Sequence, residues 1–144
     1  MTLSITLPGA PIFESHQQKK IVQFKKGGKL VKSIAQSTKY TSAKKRLTQI
    51  LAQYAPDKPI AGPVEIELTA YWPLRSGTKK ADREKVERKD TKPDGDNVMK
   101  LYADCLESAG FFTNDSQASD EITRKRWSED PRVEIVITQL DQFV

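Results

Sequence analysis

The chain is poor in the residues that build several common kinds of site. Among its 144 residues there is one cysteine, Cys105, and one histidine, His16. A lone cysteine excludes an internal disulfide framework and agrees with a reducing compartment. One cysteine and one histidine also leave no conventional zinc site within the chain. No Ser or Cys motif accompanies His16, so a nucleophilic triad has no support. No apolar run is long enough to cross a bilayer. The first residues lack the basic and then apolar pattern of a signal peptide, so the expected location is the cytoplasm of a bacterial cell, of host or prophage origin. Acidic residues are missing altogether from Ser15 to Pro56.

That stretch is basic instead, with Lys19, Lys20, Lys25, Lys26, Lys29, Lys32, Lys39, Lys44, Lys45 and Arg46. The net charge is only +5, so segregation rather than total charge is the signal. A segregated basic region is what binding to a phosphate backbone requires, and a solubilising lysine surface would look the same. Lys19, Lys20, Lys25, Lys26, Lys29, Lys44, Lys45 and Arg46 are the candidate DNA contacts. Hydrophobic residues make up 37% and charged residues 30%, a balance that fits one ordinary globular domain over residues 1–144.

Alternation of Leu3, Ile5 and Leu7 with polar neighbours predicts a strand stopped by Pro8-Gly9. Lys20 to Phe24 and Leu30 to Ser33 flank Gly27-Gly28 and predict a hairpin. Its Gly-Gly-Lys lacks the remaining residues of a phosphate-binding P-loop. A helix capped by Thr41 or Ser42 follows, with Ala43, Leu47, Ile50, Leu51 and Tyr54 as its apolar stripe and Pro56 as its stop. Val64, Ile66, Leu68, Ala70 and Trp72 mark the clearest strand. Residues 74–92 are highly charged and read as an exposed loop, with a short helix near Lys80 to Glu87. A second helix is expected from Asp96 to Ser108 with Gly110 near its end. The strands Ile122 to Trp127 and Arg132 to Leu140 are expected to form a closing hairpin around Asp130-Pro131. The expected class is α+β, two main helices on a largely antiparallel or mixed sheet.

The chemistry lies in Lys92-Pro93-Asp94-Gly95-Asp96-Asn97-Val98-Met99-Lys100, followed by Asp104 and Asn114-Asp115. On a helix Val98, Leu101, Tyr102, Cys105, Leu106 and Ala109 share one face, and Asp96, Lys100 and Asp104 lie opposite. Pro93 and Gly95 bend the chain so that Asp94 can converge with Asp96 at the positive helix terminus. Gathered carboxylates repel one another, and Mg²⁺, which takes oxygen ligands, relieves that conflict and activates water. Lys100 is placed to contact a phosphate. An EF-hand does not fit, because Lys92 occupies a ligand position and the bidentate glutamate is missing. A purely structural account fits too: Asp94 or Asp96 as helix cap, and Asp96 paired with Lys100.

Lys92-Pro93-Asp94-x-Asp96-Asn97-x-x-Lys100, then Asp104-x-Leu106, a glycine-aromatic stretch and Asp115, resembles the central signature of the RusA-type Holliday-junction resolvases. The likeness extends through Gln117 and Asp130-Pro131-Arg132-Val133-Glu134-Ile135, and more weakly to Leu7-Pro8-Gly9-Ala10-Pro11. Between Phe13 and Pro63 it is one of element order and basic character. It implies a Mg²⁺-dependent homodimer that nicks four-way DNA junctions symmetrically in recombination and repair. By position it implies Asp94, Asp96 and Asp115 as catalytic, metal-holding carboxylates, Lys100 as the motif lysine, and Asp104 as an additional acidic position. Asn114 departs from a position that is often acidic in that family. A flap or branched-DNA nuclease, and a non-catalytic DNA-binding protein of the same fold, remain as alternatives. Cys105, Trp72, Trp127, Phe111 and Phe112 are expected to pack. Exposed strand edges and the Phe111-Phe112 region are the candidate dimer surfaces.

Overall fold

A computed structural model describes residues 1–15, 19–36 and 38–144. His16 lies outside the described residues. Eight of the elements carry the architecture: β1 (Thr2–Pro8), the hairpin of β2 (Lys19–Lys26) and β3 (Lys29–Gln36), α1 (Thr38–Ala52), β4 (Val64–Pro73), α2 (Gly95–Ser108), β6 (Ala118–Ser128) and β7 (Arg132–Gln139). A two-residue β5 (Glu87–Arg88) and two single turns of 3-10 helix, Lys80–Asp82 and Asp115–Gln117, complete it. The fold is α+β, with a five-stranded mixed sheet in the order β1-β7-β4-β6-β5 and the separate β2-β3 hairpin turned by Gly27-Gly28.

β4 takes the centre of the sheet because its apolar side chains serve the core along its whole length. Val64, Ile66, Leu68 and Ala70 are all fully buried. Antiparallel β7 sets Ile137 beside Ile66, Ile135 beside Leu68 and Val133 beside Ala70. β1 then adds Ile5 next to Ile135 and Leu7 next to Val133. On its other edge β4 pairs with β6 in parallel, and a parallel pair needs a crossover connection. The segment holding α2 supplies it. Val98, Leu101, Tyr102, Cys105 and Leu106 of α2 join Leu47 and Leu51 of α1 in the same core as the sheet. Gly95 opens α2 close to β6: a Cβ there would stand 3.5 Å from the Thr123 methyl.

The expected closing hairpin is corrected. β6 and β7 are not neighbours; β4 lies between them. The turn at Asp130-Pro131 does reverse the chain, but a turn signal carries no information about a skipped strand. Two strand spacings amount to about 9.6 Å, which residues 129–131 can span.

Three boundaries also differ. α1 starts at Thr38 rather than at Thr41 or Ser42, because buried Tyr40 extends the stripe of Ala43, Leu47 and Leu51 backwards by a turn. Tyr54 lies beyond the helix and is exposed. Within the charged loop the short helix is one 3-10 turn, and β5 pairs with β6. Most of that loop is exposed as expected, but Lys89 is only 8% accessible. Phe111 and Phe112 are buried in the core, which removes them as a dimer surface. No helix among the described residues is long and apolar enough to cross a membrane.

Candidate active site

α2 presents its acidic residues on the side away from the core. Asp94 is the N-cap residue in an extended conformation, and its side chain makes no capping hydrogen bond. The helix closes instead through its backbone, Val98 N to Asp94 O at 3.1 Å. The capping account of Asp94 therefore fails, and its exposed carboxylate remains uncommitted to the helix. Asp96 is exposed in the first turn and Lys100 one turn later. Lys100 Nζ pairs with Asp104, at 3.8 Å, and not with Asp96.

Asp104 also meets Asp115, from the turn after α2. Burial raises the Asp104 pKa, and a hydrogen bond and like charge from Asp115 raise it further, while Lys100 and Lys44 oppose them. Lys44 of α1 is half-buried and near enough for its charge to act on Asp104, whereas Lys45 and Arg46 are exposed. Asp115 is held by its neighbours: its N–H donates to Glu107 Oε1 at 2.8 Å. Asn114 caps the turn, its Oδ1 accepting from Ser116 N at 2.8 Å. Gln117 anchors the same turn to the chain before β4, donating to Ile60 O and Gly62 O at 2.9 and 2.8 Å. Asn114, the departure from the resemblance, is therefore a structural cap.

Two further side chains shape the site and were not singled out from sequence. Lys125 Nζ of β6 donates to Thr91 O and Pro93 O, each at 2.7 Å. Lys89 Nζ lies 3.8 Å from the Trp127 ring centre and 5.4 Å from that of Trp72, and donates to Thr91 Oγ1 at 2.7 Å. The two tryptophans thus pack, as expected, around a buried cation. Burial first, then the Lys125 charge, lowers the Lys89 pKa, and Asp90 opposes them. Cys105 packs beneath the site, its thiol pushed up by burial.

The structure brings Asp104 and Asp115 together, with Lys100 and Lys44 beside them. It does not bring Asp94, Asp96 and Asp115 into one cage: among the described residues no three acidic, histidine or cysteine side chains gather closely enough to hold a metal ion unaided. The helical rise separates Asp96 from Asp104 by roughly 12 Å. An open set of this kind calls for a cation that keeps most of its shell outside the protein. It fits Mg²⁺, which takes one or two carboxylates and completes its octahedron with water and substrate phosphate. Of the candidate DNA contacts, Lys25, Lys26 and Lys29 are exposed around the hairpin turn. Lys19 and Lys20 open β2.

Comparison with known proteins adds to this geometry. Residues 8–138 match the family model described as endodeoxyribonuclease RusA. The chain belongs to the RusA endodeoxyribonuclease family. Membership covers nearly the whole domain, and it makes DNA the substrate class and phosphodiester cleavage the reaction class. The chain is also similar to the uncharacterized protein YqaN of Bacillus subtilis (strain 168), 30% identical over 144 residues that cover 96% of each chain.

Proposed function

We propose that this RusA-family chain is a Mg²⁺-dependent, structure-selective endonuclease that resolves four-way DNA junctions by paired, symmetrical nicks during recombination and repair. The observation that carries the proposal is the acidic flank of α2. Asp94 and Asp96 are exposed at the helix start, Asp104 meets Asp115 further on, and Lys100 stands between the two groups.

Bound Mg²⁺ supplies an activated water and neutralises the charge that develops on the phosphodiester. Asp94 and Asp96 at the helix start and Asp115 beside Asp104 are the residues proposed to offer ligands, each group giving one or two carboxylates while water and phosphate oxygens complete the octahedron. Asp104 sets the orientation of Asp115 through their shared hydrogen bond. Lys100, exposed and only loosely paired, offers its ammonium to the scissile phosphate. Lys25, Lys26, Lys29, Lys45 and Arg46 hold the backbone of the DNA arms, and Lys44 supports the carboxylate pair instead. One chain has one such site, so two nicks in strands of matching polarity call for two subunits. A two-fold homodimer has the symmetry of the junction.

Incubation with Mg²⁺ and end-labelled four-way, flap and duplex DNA tests the proposal. Paired nicks at symmetrical positions, confined to the four-way substrate, are expected. Preferential flap cutting would favour a broader branched-DNA nuclease, and binding without any cutting would favour a non-catalytic protein. Sedimentation equilibrium on an uncleavable junction should give two chains per junction.

A further inference from the structure

Lys125 occupies a place in the fold where a lysine is unexpected. Strand register sets it beside Ala70, in the row Leu7, Val133, Ala70, whose other members are buried. An ammonium beside such a row is unfavourable unless its donors are used. Two of them are used, on Thr91 O and Pro93 O, each at 2.7 Å. Those carbonyls bracket Lys92, and the second belongs to the peptide that leads directly into Asp94.

The same loop is tied to β6 elsewhere. Lys89 N donates to Lys125 O at 3.0 Å, and Lys89 Nζ, over the Trp127 ring, donates to Thr91 Oγ1 at 2.7 Å. β6 has its ladder partners on both sides, β4 and β5, without the Lys125 side chain. Among the described residues, the side-chain bonds of Lys125 reach the loop that precedes α2. Asp94 has no capping bond to hold its carboxylate, so the place of that carboxylate follows from its backbone.

We infer that Lys125 is a positioning residue of the acidic site, setting the Pro93–Asp94 corner and thereby the point at which Asp94 meets a divalent cation. This rests on the nuclease proposal above. Groups that orient metal ligands commonly change metal affinity or activity by about 10–100-fold when removed. Lys125 acts through the backbone rather than through a ligand side chain, and the expected loss is of the same order.

The test uses the full chain with Lys125→Met, and with Lys125→Gln, which keeps one donor pair. Each is titrated with Mg²⁺ and read in two ways: the rise in melting temperature without DNA, and nicking of a four-way junction. Both variants should stay folded and bind the junction without metal as the wild type does. Lys125→Met should need about tenfold more Mg²⁺ for half-effect in both readouts, and Lys125→Gln an intermediate amount. Folded variants with the wild-type Mg²⁺ requirement overturn the inference, and so does loss of fold in both, which would assign Lys125 to stability alone. A wild-type chain that neither nicks DNA nor responds to Mg²⁺ defeats the nuclease proposal, and this inference with it. An active wild type with indifferent variants defeats this inference alone.

Discussion

Lys100 Nζ stands 3.8 Å from a carboxylate oxygen of Asp104, one turn further along α2. That distance is too long for a hydrogen bond, and the lysine side chain is 51% accessible. Exposed pairs of this sort add little stability. Replacing Lys100 by Met should therefore change unfolding free energy by no more than about 0.5 kcal/mol. Single-turnover nicking should fall by roughly 100-fold, as when a donor to developing charge is removed. Urea unfolding and quenched-flow cleavage measure the two quantities. A variant that unfolds, or one that cuts at the wild-type rate, would contradict the role given to this ammonium.

Asp104 gives a prediction in pH. Its folded pKa is raised, by burial first and by Asp115 second, so folding favours its protonated form. Ionising it costs stability. The cost is absent below the ordinary aspartate value, about 3.9, and complete above the raised folded value. Asn cannot ionise. In metal-free buffer Asp104→Asn should melt higher than wild type at neutral pH, with the difference shrinking toward zero as pH falls to about 4. A difference that does not vary with pH would show that the Asp104–Asp115 contact carries no strain.

Much of this arrangement was legible because it is periodic. The alternation from Val64 to Trp72 marked β4, and the spacing of Val98, Leu101, Tyr102, Cys105 and Leu106 gave the buried face of α2. The motif from Lys92 to Lys100, with Asp115, pointed to the family that the comparison then showed. Pairings across the fold were not legible. Asp104 and Asp115 are joined by the chain's return after Gly110, which leaves no local pattern. The insertion of β4 between β6 and β7 likewise follows from tertiary competition for the centre of the sheet. Lys89 and Lys125 looked like two more charges in charged surroundings. The signal that marks Lys125 is its strand parity with Thr123 and Trp127, on the side facing α2, and it becomes visible only once the register is known.

Lys89 should matter for stability despite its charge. Its side chain fills the space against Trp127 and Trp72, and its Nζ is used by Thr91. Lys89→Ala removes that packing and a desolvated cation–π contact. The expected loss is about 2 kcal/mol in urea unfolding. A loss below about 0.5 kcal/mol would place Lys89 among ordinary surface lysines.

The hairpin lysines make a separate prediction in salt. Lys25, Lys26 and Lys29 are exposed together at the turn between β2 and β3. If each contacts one phosphate, replacing all three by Gln should lower the slope of log affinity against log salt by roughly 2.7 on duplex arms. Fluorescence anisotropy of a labelled junction across a salt series measures that slope. An unchanged slope assigns the three lysines to solubility.

If the carboxylates of the α2 site hold a cation that drives DNA cleavage, Asp96→Asn must show it. The substitution keeps the shape of an exposed side chain at the start of α2 while removing its charge. Wild type and variant are compared on a labelled four-way junction in Mg²⁺, with junction binding followed in parallel without metal. Cleavage should be lower by roughly 100-fold or more, with binding preserved or tightened, since one carboxylate fewer repels the phosphates. Wild-type cleavage by Asp96→Asn in Mg²⁺ would contradict that role for the carboxylates.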